Sequence, residues 1–195
     1  MNTKTMESIA LKTLKSMLTA RGLVAEDFDS LGSPLDETKM YTFAGLLIIF
    51  STKTRVSEKE LNTFLTYAKE NNHNSGILIT SPSRPSESVL TILRNHITDR
   101  NNPLVQIFET RHLQFDISNH RYVPSHRILT NEESESVMKE FNVSVPRSFP
   151  KIDSQDPMAK WIGARPGDVI EVKGLCESSG ENRRYRYCVP DVTNG

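Results

Sequence analysis

Cysteine is nearly absent from this chain, and so is any sustained apolar run. Only Cys176 and Cys188 occur in 195 residues, too few for a disulfide scaffold and in keeping with a reducing compartment. The longest apolar run, Phe43 to Phe50, falls far short of the roughly 18 residues that span a bilayer, so no membrane partner is expected. The opening residues, MNTKTMES, hold no apolar stretch of the kind a secretory signal needs. With nine glycines the chain shows no glycine-rich phosphate loop, and it has no Gly-x-Ser-x-Gly elbow for serine hydrolysis. Internal repeats and low-complexity tracts are also missing. An excess of one charge is lacking too, since 24 Lys and Arg balance 24 Asp and Glu. From Asn119 onward eleven basic residues meet eleven acidic ones, which leaves thirteen of each before it. Neutralising phosphates supplies most non-specific affinity for nucleic acid, so a neutral chain argues against a free-standing DNA binder.

What is present is alternation. Met6, Ala10, Leu14, Met17 and Leu18 recur at helical spacing and Arg21-Gly22 supplies a stop, predicting an amphipathic first helix. A Gly/Pro/Asp-rich connection runs from Asp27 to Leu35. Tyr41 to Phe50 reads as one buried strand. Ser57 and Glu60 form a capping box, with Leu61, Phe64, Leu65 and Ala68 as the apolar stripe behind it. Gly76 to Thr80 is a second short strand, Ser81 to Ser86 a turn, Val89 to Ile97 a helix face, and Leu104 to Phe108 a third strand. This order predicts an open α/β domain with parallel pairing and right-handed crossovers. After about His120 the texture changes. Thr130 and Glu133 form a second capping box, for a helix through Phe141 that Pro146 and Pro150 close off. The turn Arg165 to Asp168 leads to a strand from Val169 to Lys173, a loop at Glu177 to Gly180, and a strand from Arg183 to Val189. The whole reads as α+β, with an α/β domain over residues 1–118 and a small α+β module over residues 119–195.

Few residues invite chemistry. His112, His120 and His126 lie close together in sequence, but no closely spaced Cys/His pairs accompany them, and loops that simply contain His are the commoner arrangement. Cys176 stands beside Glu177 with no His nearby to activate it. Asp156, Glu171 and Lys173 have the Asp…Glu-x-Lys layout of a metal-dependent nuclease, in which carboxylates hold a divalent ion and a lysine steadies the attacking water. Strand alternation would put Glu171 and Lys173 on one face, equally consistent with a solvated face. Arg183 to Tyr187 interleaves cations and aromatics, as single-strand-binding surfaces do; half-buried tyrosine packing is the plainer reading.

The series Val123-Pro-Ser-His126-Arg-Ile-Leu-Thr130-Asn-Glu-Glu133, Phe149-Pro-Lys-Ile152 and Asp156-Pro-Met-Ala-Lys-Trp161-Ile-Gly-Ala-Arg165-Pro-Gly-Asp168 resembles one family. It is the fifth-largest subunit shared by the nuclear DNA-directed RNA polymerases of eukaryotes, whose C-terminal module is similar to a short archaeal RNA polymerase subunit that lacks the N-terminal domain. The likeness runs from about His120 to Tyr187. It implies a non-catalytic subunit whose C-terminal module docks on the largest polymerase subunit beside neighbouring small subunits. It also implies a nuclease-like N-terminal jaw near downstream double-stranded DNA, met only within the assembled complex. An N-terminal domain of this kind points to the eukaryotic form, located in the nucleus, or to a large DNA virus, located in the viral factory or virion. No cofactor, metal or catalytic residue is then expected.

Matched positions implied for the subunit interface are His126, Asp156, Pro157, Trp161, Gly163, Arg165, Gly167, Glu177 and Arg186. Arg84, Pro85 and Ser86 stand where the family has a Thr-Pro-Ser-Ala turn and are the implied DNA-proximal residues, with Arg84 and Glu87 replacing the outer positions. Where the family usually reads Arg-Pro-Ser-Glu-Thr, this chain has Gly174-Leu-Cys-Glu-Ser178, so the surface around that loop has changed. Locally, Asp156-Pro157 reads as an N-cap followed by proline at N1, and Gly163 and Gly167 as bends. Trp161 is either core or an interface anchor, and His126 reads as a satisfied structural histidine near the domain boundary.

Overall fold

The structure, a computed structural model, describes residues 3–24, 27–33, 35–73, 75–176 and 180–192, without the side chains of 3, 4, 175 and 176. The chain divides into two compact units, residues 1–116 and 117–195. Among the described residues no helix is long and apolar enough to cross a membrane.

The first unit opens with α1 (Thr3–Ala20), whose stripe Ala10, Leu14, Met17 and Leu18 is fully buried. Strands β1 (Asp29–Leu31), β2 (Thr38–Phe43) and β3 (Leu46–Ser51) follow, then α2 (Glu58–Glu70), β4 (Ile77–Ser81), α3 (Glu87–Thr98) and β5 (Val105–Glu109). They form one sheet in the order β1-β2-β3-β4-β5. β3, β4 and β5 are parallel, joined by helical crossovers as the alternation predicts, whereas β1, β2 and β3 are antiparallel. The expected single strand over Tyr41 to Phe50 is therefore a hairpin. Ala44 and Gly45 both take positive φ, 49° and 80°, between paired Phe43 and Leu46, the geometry of a two-residue type I′ turn. The short β1 falls inside the expected connection.

Both faces of this sheet are covered, which is why β3 and β4 are buried along their whole length. One face carries Leu47, Ile49, Ile77, Ile79, Val105 and Ile107 against Leu61 and Phe64 of α2 and Leu90 and Leu93 of α3. On the other face Arg21, just past α1, donates to Gln106 of β5 at 2.8 Å, and Tyr41 of β2 donates to Glu7 of α1 at 2.7 Å.

The second unit is a four-stranded sheet in the order β6-β8-β9-β7, with β6 (Ser125–Ile128), β7 (Lys151–Asp153), β8 (Val169–Cys176) and β9 (Gly180–Val189). β8 and β9 form its antiparallel centre, β6 is antiparallel to β8, and β7 is parallel to β9. Its edges are the four-residue β6 and the three-residue β7, neither marked by the sequence pattern. One face holds Ile152, Ile170, Val172 and Cys188 with Ala159 of α5 (Pro157–Ile162). The opposite face holds Leu129, Phe149 and Val169 beneath Val137 and Met138 of α4 (Asn131–Glu140).

Candidate docking surface and basic loops

α5 is only six residues long, so its ends decide whether it forms. Asp156 Oδ1 accepts from the amides of Met158 at 2.8 Å and Ala159 at 3.2 Å, and Pro157 fills N1, where no donor is needed. Gly163 closes the helix at φ 76°, a left-handed position a β-carbon would strain. The following turn is held twice: the Arg165 amide donates to Asp168 Oδ2 at 2.7 Å, and the Asp168 amide to the Arg165 carbonyl at 3.0 Å. Pro166 and Gly167, at φ 97°, occupy the central positions of a type II pattern. Gly167 donates to Cys188 and Cys188 to Asp168, which ties the turn to β9. The matched motif thus builds the hinge between α5 and β8.

Trp161 is 4% exposed, so its ring lies within the module and does not stand out as an anchor. His126, on β6, donates from Nδ1 to the Pro124 carbonyl at 2.8 Å. Arg186 reaches across to the Lys151 carbonyl at 3.1 Å and secures the edge strand β7. Arg165 is half-buried and Pro157 exposed, while Glu177 lies outside the described residues. The surface that does present apolar bulk carries no sequence signal of its own. Phe141, the C-cap of α4, and Val145, in the loop that follows, are 53% and 46% exposed. Phe141 meets Tyr185 edge-on at 5.6 Å, and together with Phe149 and Arg183 they line a cleft of about 250 Å³. One exposed aromatic, Phe141, packed on half-buried Tyr185 and rimmed by arginine, suits an interface core.

Glu171 overturns both expectations for it. It is neither a solvated residue nor a free metal ligand but is buried at 4% exposure. Its Oε2 accepts from Arg127 at 3.1 Å, and Lys173 stands 3.8 Å away. Arg127 also grips Glu133 with two bonds of 2.8 Å, while Glu133 completes the α4 capping box by accepting from the Thr130 amide at 2.9 Å. Glu133 and then Glu171 hold the Arg127 guanidinium above its ordinary value. The Thr130 amide and then Arg127 hold the Glu133 carboxyl below its own. Asp156, the other proposed nuclease carboxylate, is committed to capping α5. Among the described residues no group of three His, Cys, Asp or Glu is placed to hold a metal ion. The nuclease alternative has no support.

In the first unit, the loops at the carboxyl ends of β3 and β4 are joined by the Ser83 amide donating to the Thr54 carbonyl at 3.0 Å. This brings exposed Lys53, Arg55 and Arg84 to one end of the sheet, where open α/β sheets place their ligand sites. Lys53 pairs with Glu60 at 2.6 Å and Arg84 with Glu87 at 3.4 Å. Pro85 is buried and Ser86 caps α3, so of the three residues marked in this turn only Arg84 offers an exposed side chain. Lys53 and Arg55 escape a reading of the sequence because no motif surrounds them.

Comparison with known proteins bears on the C-terminal unit. Residues 115–188 match the sequence family described as RNA polymerase Rpb5, C-terminal domain. The DNA-directed RNA polymerase subunit Rpo5 of Sulfolobus acidocaldarius is 43% identical over 76 residues, 39% of this chain and 89% of that protein. The Rpo5 subunit of Thermococcus onnurineus is 38% identical over 78 residues, 40% of this chain and 94% of that protein. The Rpo5 subunit of Aeropyrum pernix is 40% identical over 81 residues, 42% of this chain and 89% of that protein.

Proposed function

The chain belongs to the family of RNA polymerase subunits Rpb5 and Rpo5, and from that premise we propose how its two units divide the work of a polymerase subunit. As a whole it is a non-catalytic subunit of a multisubunit DNA-directed RNA polymerase and resides with the transcription machinery. The observation that carries this is coverage: the similarity takes in nearly the whole length of the archaeal subunits and falls on one compact unit of this chain.

The C-terminal unit docks on the largest polymerase subunit. Phe141, Val145 and Tyr185 with Arg183 provide its apolar contact, and the motif around α5 fixes the shape of the unit rather than touching the partner itself. The N-terminal unit is a jaw of nuclease-like fold, without nuclease activity, placed beside downstream double-stranded DNA. Lys53, Arg55 and Arg84 face the phosphates there. The neutral charge balance supports DNA binding only inside the assembly, where the larger complex supplies the affinity. The subunit works in the nucleus, or in the viral factory when a virus encodes it.

The test is purification of tagged full-length protein from its native cells. The largest polymerase subunit should co-purify in stoichiometric amount; its absence would falsify the reading. Replacing Lys53, Arg55 and Arg84 by alanine should leave assembly intact and flatten the salt dependence of DNA retention, by about one unit of slope for each phosphate no longer neutralised. An unchanged slope would remove the DNA-facing role of these loops and leave the docking role standing.

A further inference from the structure

On the α5 side of the C-terminal sheet, part of the surface is a cleft of about 670 Å³. The β8–β9 register builds its floor. Val172 pairs with Arg184 and Gly174 with Asn182, on the same face as buried Ile170 and Cys188. The segment leading into β6, from Arg121 to Ser125, forms its wall. Gly174 keeps the floor low. A β-carbon there would meet only Pro124 Cβ, at 3.6 Å, an ordinary contact, so a larger residue fits the backbone and fills the space.

On the cleft's face the lining carries Arg121 and Arg184 and, among the described residues, no carboxylate; Lys173 lines it with its backbone only, its side chain lying with Glu171 on the opposite face. In a unit whose charges balance overall, this is a local cationic excess. Arg121 lies over the Tyr122 ring at 5.4 Å, and Arg184 is exposed. Among the described residues neither arginine has an ion-pair partner, whereas Lys173 stands 3.8 Å from Glu171 on the other face of β8. The two arginines therefore retain charge that a ligand can use.

We propose that this cleft receives an acidic segment of another polymerase subunit, an extended stretch whose carboxylates meet Arg121 and Arg184 while an apolar side chain covers Val172 and Gly174. The proposal rests on the chain's being a polymerase subunit. A peptide suits the cleft better than a nucleic-acid strand. The floor is concave and mixes apolar Val172 with Asn182 and Arg184, its volume lies in the roughly 300–1,000 Å³ range of sites that enclose a small ligand, and one exposed ring at the rim is no stacking platform. Complementary charge at such a cleft favours the correct partner and penalises a basic one.

The full-length protein is titrated with a short peptide alternating Glu and Leu, with its Lys-for-Glu counterpart, and with an oligo-dT of equal charge, and backbone amide shifts are followed. The acidic peptide alone should move Tyr122, Gly174 and Asn182 saturably. Gly174→Leu and Arg184→Glu should each weaken it about tenfold while amides elsewhere keep their shifts. No movement around Gly174, equal binding of the basic peptide, tighter binding of oligo-dT, or indifference to Gly174→Leu overturns the proposal. In parallel, tagged protein with a photo-crosslinking residue in place of Tyr122 is purified from cells. The crosslink should map to an acidic segment of a polymerase subunit and disappear with Gly174→Leu. Polymerase recovered without such a crosslink sinks the cleft proposal only, whereas no polymerase at all sinks the subunit reading beneath it.

Discussion

Arg127 holds two carboxylates that belong to different elements, one buried in β8 and one capping α4. Removing it strands Glu171 in the sheet with only Lys173 nearby. Breaking a fully buried pair costs about 3–5 kcal/mol; because Arg127 is itself half-exposed and Lys173 stays, Arg127→Ala should cost about 1–3 kcal/mol in denaturant unfolding. Adding Glu171→Gln should recover part of that loss, since it removes the stranded charge, and strictly additive losses would show that the two do not interact. Glu133 makes the pH dependence readable. Folding lowers its carboxyl value, so its contribution is complete above the unfolded value of ~4.3 and is lost as pH falls through the lower folded one. Glu133→Gln should therefore be less stable than the wild type at neutral pH, with the gap closing on acidification. A gap that stays constant in unfolding curves down to about pH 3 would contradict the linkage.

The hairpin shows where local chemistry is imperfect. Ala44 sits at φ 49°, a left-handed conformation that costs an L-residue roughly 1–2 kcal/mol and that Asn tolerates better. Ala44→Asn should stabilise the turn by about 0.5–1 kcal/mol and slow hydrogen exchange along β3; faster exchange there would refute the turn assignment. The same alanine explains why the hairpin is illegible in the sequence: Phe43-Ala-Gly-Leu46 reads as an unbroken apolar run, with no Asn or Asp to mark a turn. Both capping boxes are legible because each signal is complete within four residues, and both are formed in the structure. β1, β6 and β7 are not, because three or four residues are too few to show a period of two. The candidate site divides the same way. The Asp156 cap and the glycine bends are local and can be read directly. The burial of Glu171 cannot, since its partner Arg127 lies 44 positions away. The departure at Gly174 is visible, but nothing along the chain shows that Pro124 and Arg121 stand across from it.

At the scale of the whole molecule, the three archaeal subunits compared above share one unit and are too short to hold a counterpart to the other. The archaeal subunits match over 89–94% of their length while covering 39–42% of this chain. The C-terminal unit has its own two-faced core around β8 and β9, so residues 117–195 expressed alone should fold and unfold cooperatively. Dispersed amide resonances and a single denaturant transition would be the signs; a collapsed spectrum would mean that residues 1–116 are needed for folding.

The narrow edges of the C-terminal sheet bear on a different part of the protein's life. A subunit made separately from its complex spends time unassembled, with its contact surface bare. Among the described residues β7 covers only Tyr187 to Val189 of β9, so β9 from Gly180 to Arg186 has no strand on its outer side and offers a neighbouring copy free backbone groups for strand-to-strand adhesion. Supply in excess of the other subunits then risks self-association, and assembly gains from being matched to synthesis.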